Sequence, residues 1–153
     1  MSFVLFAHVM GTALWIGGGL SGLMFDAAAR SEPPAIQMRL LRVLARLHAV
    51  VIGLGALVVL GSGVLLTMAL DTDGLGDLMR EPKLWVMILA GIFAAFMVLF
   101  VSLPLASRVG ALAAAGSKGD IPPALEAYRK RLAVVSTISG GLAVVALLAW
   151  YVF

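Results

Sequence analysis

Apolar positions run almost unbroken over four segments, residues 3–25, 47–70, 84–106 and 132–153. A helix needs about 20 apolar residues to cross roughly 30 Å of hydrocarbon, and each segment is long enough. Extended to their flanking helical positions, the predicted spans are 3–28, 38–70, 84–107 and 127–152. The expected fold class is all-α, an integral membrane four-helix up-down bundle, with residues 1–153 forming a single transmembrane domain. The first run has no basic n-region and is longer than a secretory h-region, so it reads as a retained span.

Polar positions mark where the chain turns. Ser31-Glu-Pro-Pro34 breaks the first helix, because paired prolines cannot continue one. The second helix is expected to begin near Gln37, well ahead of its apolar run. On it Arg39, Arg42 and Arg46 share one stripe, while Leu41, Leu44, His48, Ile52 and Gly55 share another. The arginines should face water or lipid headgroups, and His48 the bundle. The second loop, from Asp71 to Lys83, carries carboxylates that invite a calcium reading. Gly76 suits the sixth position of such a loop, but Pro82 stands at the twelfth, where a closing glutamate is needed. The loop therefore reads as solvated and acidic.

Composition narrows the class. The chain is 62% hydrophobic and 12% charged, against about 25% charged in a soluble domain. A net charge of +3 does not indicate nucleic-acid binding, since the basic residues lie in loops beside apolar runs. With no cysteine, disulfides, thiolate metal sites and cysteine nucleophiles are excluded. The first loop holds Arg30, Arg39, Arg42 and Arg46, and the third Arg108, Lys118, Arg129, Lys130 and Arg131; the second holds only Arg80 and Lys83. The positive-inside rule then places loops 26–47 and 107–131 in the cytoplasm and both termini on the periplasmic side. Asp26 ends the first helix and is expected to pair with loop arginines. Trp85, Trp150 and Tyr151 stand at outer helix ends, as an aromatic belt would. Trp15 lies mid-membrane and should pack inside. Gly18, Gly22, Gly55, Ser62, Gly91, Ser136 and Gly140 are expected to line close helix contacts.

The candidate chemistry centres on two histidines. His8, Gly11, Trp15, Gly18 and Gly22 share one face of the first helix, offering a titratable ring, a large aromatic and three bare positions. Such a face receives either a flat ligand or a closely packed helix. Imidazole is a standard axial ligand for haem b. His8 lies 18 residues before Asp26, about 27 Å at 1.5 Å per residue, whereas His48 lies close to the basic loop. One iron cannot join them. A haem at His8 would find Met68 or Met87 as a second ligand and Lys83 for a propionate; one at His48 would find Arg42, Arg46, Arg108 or Arg129. Without a ligand, His8 would hydrogen-bond a carbonyl or hydroxyl across the bundle and His48 would reach water at the interface. Thioether and imidazole also suit Cu(I), but the eight methionines are scattered, and His8 and Met10 point to different faces. No nucleophile–base pair and no phosphate loop is present.

The pattern His8-x-x-Gly11-x-x-x-Trp15-Ile-Gly-Gly18 resembles the first helix of a group of small four-helix bacterial membrane proteins. The group contains HemJ-type protoporphyrinogen oxidases, the membrane domain of CopD copper-resistance proteins, and a predicted integral membrane family of unknown function. The helix exit Leu103-Pro-Leu-Ala-Ser-Arg108 is most similar to the last. The resemblance covers the layout of nearly the whole chain and implies the bacterial inner membrane. Its HemJ-like branch implies haem b and a redox role, with a first-helix histidine, matched by His8, and a third-helix lysine. Here Met87 stands where that lysine is expected, and Lys83 is a turn earlier. Its CopD-like branch implies copper handling. The residues alone fit a third class equally well: a cofactor-free accessory subunit of a larger membrane complex, or a homo-oligomer.

Overall fold

The structure is a computed structural model that describes residues 2–70, 81–116 and 121–152, with the backbone alone for residues 70 and 150–152. The acidic stretch 71–80, Arg80 and Lys118 lie outside the described residues, as do the side chains of Trp150 and Tyr151. Among the described residues the fold is all-α. The first helix is Ser2–Ala29. The second is built from Pro34–Leu47, a π-helical turn His48–Ile52, and Gly53–Leu70. The third is built from Pro82–Phe96, a second π-helical turn Met97–Ser102, and Leu103–Ala115. The fourth is Pro123–Val152. All four are long and apolar enough to cross a membrane. The four helices pack together as one bundle.

The helix ends differ from expectation in two places. The second helix starts at Pro34, because proline is well placed at a first helical position, where its missing N–H costs nothing. The first connection is thus only residues 30–33 rather than a long loop. The third helix continues past 107 to Ala115. Its Ala106, Val109 and Ala113 pack with Met38, Leu41 and Leu125 in a cluster that closes the basic end of the bundle. Gly116 ends it, its N–H returning to the Leu112 carbonyl.

The exterior is apolar: Phe3, Phe6, Met24, Val50, Leu89 and Phe100 are all exposed, as lipid-facing side chains should be. The interior is small. Ala56, Ala94, Ala95 and Ala143 surround Trp15 and Ile52 mid-bundle, and Trp15 is only 3% exposed. Close approach of small residues is how helices associate in lipid, where burial of apolar surface gives no drive. The first two helices approach closely. A Cβ on Gly55 would stand 2.9 Å from the Gly11 carbonyl oxygen and 2.9 Å from the Trp15 nitrogen, both backbone atoms. Gly91 and Gly140 line no such contact, since a Cβ on either would meet nothing within 4 Å. On the third helix Gly110 packs as closely on the second, where a Cβ would lie 2.9 Å from that of Ala45.

Candidate functional site

The first-helix face expected to receive either a flat ligand or a closely packed helix packs against the second helix. A Cβ on Gly11 would lie 3.0 Å from Val58 and Val59, and one on Gly18 would lie 3.0 Å from Val51 and Ile52. One on Gly22 would sit 3.3 Å from the His48 ring. Trp15 fills the space between. From Gly11 to Gly22 helix packing occupies this face, and His8 lies about one turn beyond it towards the other end.

His48 is buried, at 3% exposure, and opens the first π-helical turn. Its Nδ1 lies 3.3 Å from the Leu44 carbonyl and its Nε2 lies 3.0 Å from Ser136 Oγ. A carbonyl only accepts, so Nδ1 donates. In the neutral ring Nε2 therefore accepts from the Ser136 hydroxyl. Ser136 Oγ is in turn 3.3 Å from Ser102 Oγ, which donates to it. A directed chain results, from Ser102 to Ser136 to His48 to the Leu44 carbonyl. Ser102 closes the second π-helical turn. That turn ends two residues before Pro104, whose ring would otherwise press on the carbonyl four residues back. Two widened turns thus meet at one polar cluster, and such turns are common at functional sites.

Beside this cluster lies a buried ion pair. Arg129 is 3% exposed; its Nε donates to Asp26 Oδ1 at 2.9 Å and one terminal nitrogen donates to the Asp26 backbone carbonyl at 3.2 Å. Arg30 reaches the other carboxylate oxygen at 3.0 Å, and Glu126 lies 3.4 Å from Arg129. Asp26 does pair with arginines, as expected, but its buried partner comes from the fourth helix. A partly open cavity of about 10 Å³ is lined by residues that include Gly22, Asp26, His48, Arg129 and Ser136. That admits about one water molecule and no larger ligand. With both His48 nitrogens engaged and Arg129 held by Asp26, these residues as arranged do not fit a haem. Arg42 and Arg46 lie on the exposed face of the second helix, turned from His48. Arg108 donates to the Tyr128 hydroxyl at 3.1 Å, its guanidinium 5.5 Å from the ring centre. Removing the central hydroxyl by Ser136→Ala leaves His48 Nε2 and Ser102 Oγ without a mutual partner. The expected cost is about 1–3 kcal/mol, read as a lower unfolding midpoint in detergent.

His8 stands differently. Its Nδ1 is 3.0 Å from Ser62 Oγ. The Ser62 hydroxyl donates to the Val58 carbonyl one turn back, so its oxygen accepts from the imidazole Nδ1–H. This puts the proton on Nδ1, and no described side chain donates to Nε2. The Cε1 edge of the ring faces Gly63, where a Cβ would lie 3.4 Å away. Met68 follows Ser62 by six residues, about 240° round the helix. At 70% exposure it faces outward and does not converge with His8. Met87 is partly buried on the third helix. Lys83, also partly buried, lies 3.6 Å from Glu81 at the same end of the bundle as His8. No group of three or more His, Asp or Glu side chains is placed to hold a metal ion among the described residues.

A His8 bond to a hydroxyl across the bundle is the alternative the sequence offers to ligation, and Ser62 supplies it; the Ser102–Ser136–His48 chain and the burial of the Asp26–Arg129 pair escaped the sequence reading, yet the pair left a trace. The face His8, Gly11, Trp15, Gly18, Gly22 continues by one more turn to Asp26. On the fourth helix the buried positions Leu125, Arg129, Leu132, Ser139, Ala143 and Ala146 recur at steps of about one or two turns, and Arg129 is one of them. No known family model, curated protein or solved structure matches this chain.

Proposed function

We propose that this protein is a haem b-binding protein of the bacterial inner membrane, with His8 as an axial ligand and a role in electron transfer or haem-linked redox chemistry. The observation that carries the reading is the Ser62-held tautomer of His8. An imidazole that ligates metal through Nε2 is oriented by the bond its Nδ1–H makes, and Ser62 supplies that bond here. A second haem at His48 is not part of this reading. When bound, the haem supplies a one-electron centre, and the protein's levers on it are ligand, charge and dielectric. His8 would hold the iron, Ser62 would hold His8, and Lys83 would supply positive charge at the same end of the bundle. The arginine-rich end would face the cytoplasm and the His8 end the periplasm, following the positive-inside rule.

A second reading is favoured by the sealed glycine face: a cofactor-free bundle that acts as a subunit of a larger membrane assembly or as a homo-oligomer. Haem titration into the purified protein separates the two. Under the haem reading Ser62→Ala weakens binding by roughly 10–100-fold, the usual effect of losing such an orienting partner, and His8→Ala abolishes it. Equal binding by wild type, Ser62→Ala and His8→Ala would remove the haem assignment and leave the packing subunit. Copper handling predicts metal without porphyrin in elemental analysis, and the outward-facing Met68 does not support it.

A further inference from the structure

Arg39, Arg42 and Arg46 line a groove of about 260 Å³ on the outer face of the second helix, with Val43 as its only other wall. All four are exposed. No ion pair or hydrogen bond engages these guanidinium groups among the described residues. Three other arginines at this end are engaged: Arg30 and Arg129 with Asp26, and Arg108 with Tyr128. Three uncompensated cations on one stripe repel one another and invite an anion.

We infer that this groove binds the headgroup of one anionic phospholipid of the surrounding leaflet. Depth and shape both argue for it. The stripe runs seven residues, about 10 Å along the axis, and ends at Arg46, directly before the apolar run. The polar layer on each side of the hydrocarbon is about 5–7 Å thick, so the three guanidinium groups bracket the plane of the lipid phosphates. Guanidinium presents a planar fork matched to phosphate oxygens. Past Arg46 the same face turns apolar, with Val50 64% exposed. A free anion has no use for that surface, whereas an acyl chain lies along it.

The test is native mass spectrometry of the full chain in detergent, titrated with phosphatidylglycerol or with phosphatidylcholine of the same acyl chains. Wild type is expected to take up phosphatidylglycerol preferentially. Each basic side chain near a membrane surface contributes roughly a fivefold preference. Arg42→Gln should therefore lose about fivefold and the triple variant R39Q/R42Q/R46Q roughly a hundredfold. The exposed pair Lys130→Gln/Arg131→Gln, at the same end but outside the groove, removes two charges and should still lose less than Arg42→Gln alone. Excess inorganic phosphate should not displace the lipid. Equal uptake of the two lipids, full uptake by Arg42→Gln and the triple variant, or displacement by phosphate would each overturn the proposal, the last in favour of a soluble-anion site.

Discussion

Asp26→Ala is expected to destabilise the bundle by about 3–5 kcal/mol, the cost of leaving one member of a buried ion pair without its partner. Arg129 reaches Asp26 through side chain and backbone alike, and its own side chain is 2% exposed. Without the carboxylate, only the half-exposed Glu126 at 3.4 Å remains to neutralise it. The guanidinium cannot simply turn to water, because Leu125 and Leu132 pack on the same face of the fourth helix. Arg30→Ala provides the contrast. Arg30 touches the same carboxylate, but its side chain is 52% exposed, and exposed pairs contribute roughly 0–1 kcal/mol. The double variant Asp26→Leu/Arg129→Met removes both charges and should recover most of the loss, since an apolar pair of similar volume is often as stable as a buried ion pair. Unfolding midpoints of the four proteins in one detergent decide it. Asp26→Ala matching Arg30→Ala would show that the pair is solvated and does not lock the first helix to the fourth.

The second large effect is expected at Gly55. Alanine there places a Cβ 2.9 Å from the Gly11 oxygen and 2.9 Å from the Trp15 nitrogen. Neither can rotate aside, as both belong to the backbone of the first helix. The two helices must separate, which loosens the contacts of Gly11 and Gly18 together. Overpacking of this kind costs about 1–3 kcal/mol, and Gly55→Leu should prevent assembly of the bundle altogether. Gly61 lies on the same helix, and a Cβ there would meet nothing within 4 Å. Gly61→Ala should instead stabilise by up to about 1 kcal/mol, the helix-propensity difference between the two residues. Opposite signs at Gly55 and Gly61 are the expected result in a denaturation series. Equal, small effects at both would mean that the first two helices are not in close contact.

Much of this fold was legible in the sequence, because lipid leaves a chain few choices. Backbone groups must be satisfied within each segment, so four apolar runs mean four helices. The burial of Trp15 followed from its depth, and the exposure of Arg39, Arg42 and Arg46 followed from their stripe. The site was harder to see. A glycine face that will hold a ligand and one that will hold a helix look alike until the partner is placed; here Val58, Val59, Val51 and Ile52 complete it. Ser102 and Ser136 carry no polar signal separately, and they matter because the third and fourth helices bring them to His48. Asp26 and Arg129 are 103 residues apart. Each continues the buried series of its own helix, and a charge on a buried series is the one local sign that a distant opposite charge must meet it.

The central claim, haem b held by His8, is tested most directly by the absorbance of the detergent-purified protein before and after reduction with dithionite. The account predicts a Soret band and sharp α and β bands on reduction. These should be lost in His8→Ala and retained in His48→Ala. A flat visible region in the wild type, after expression with haem supplied, would contradict it.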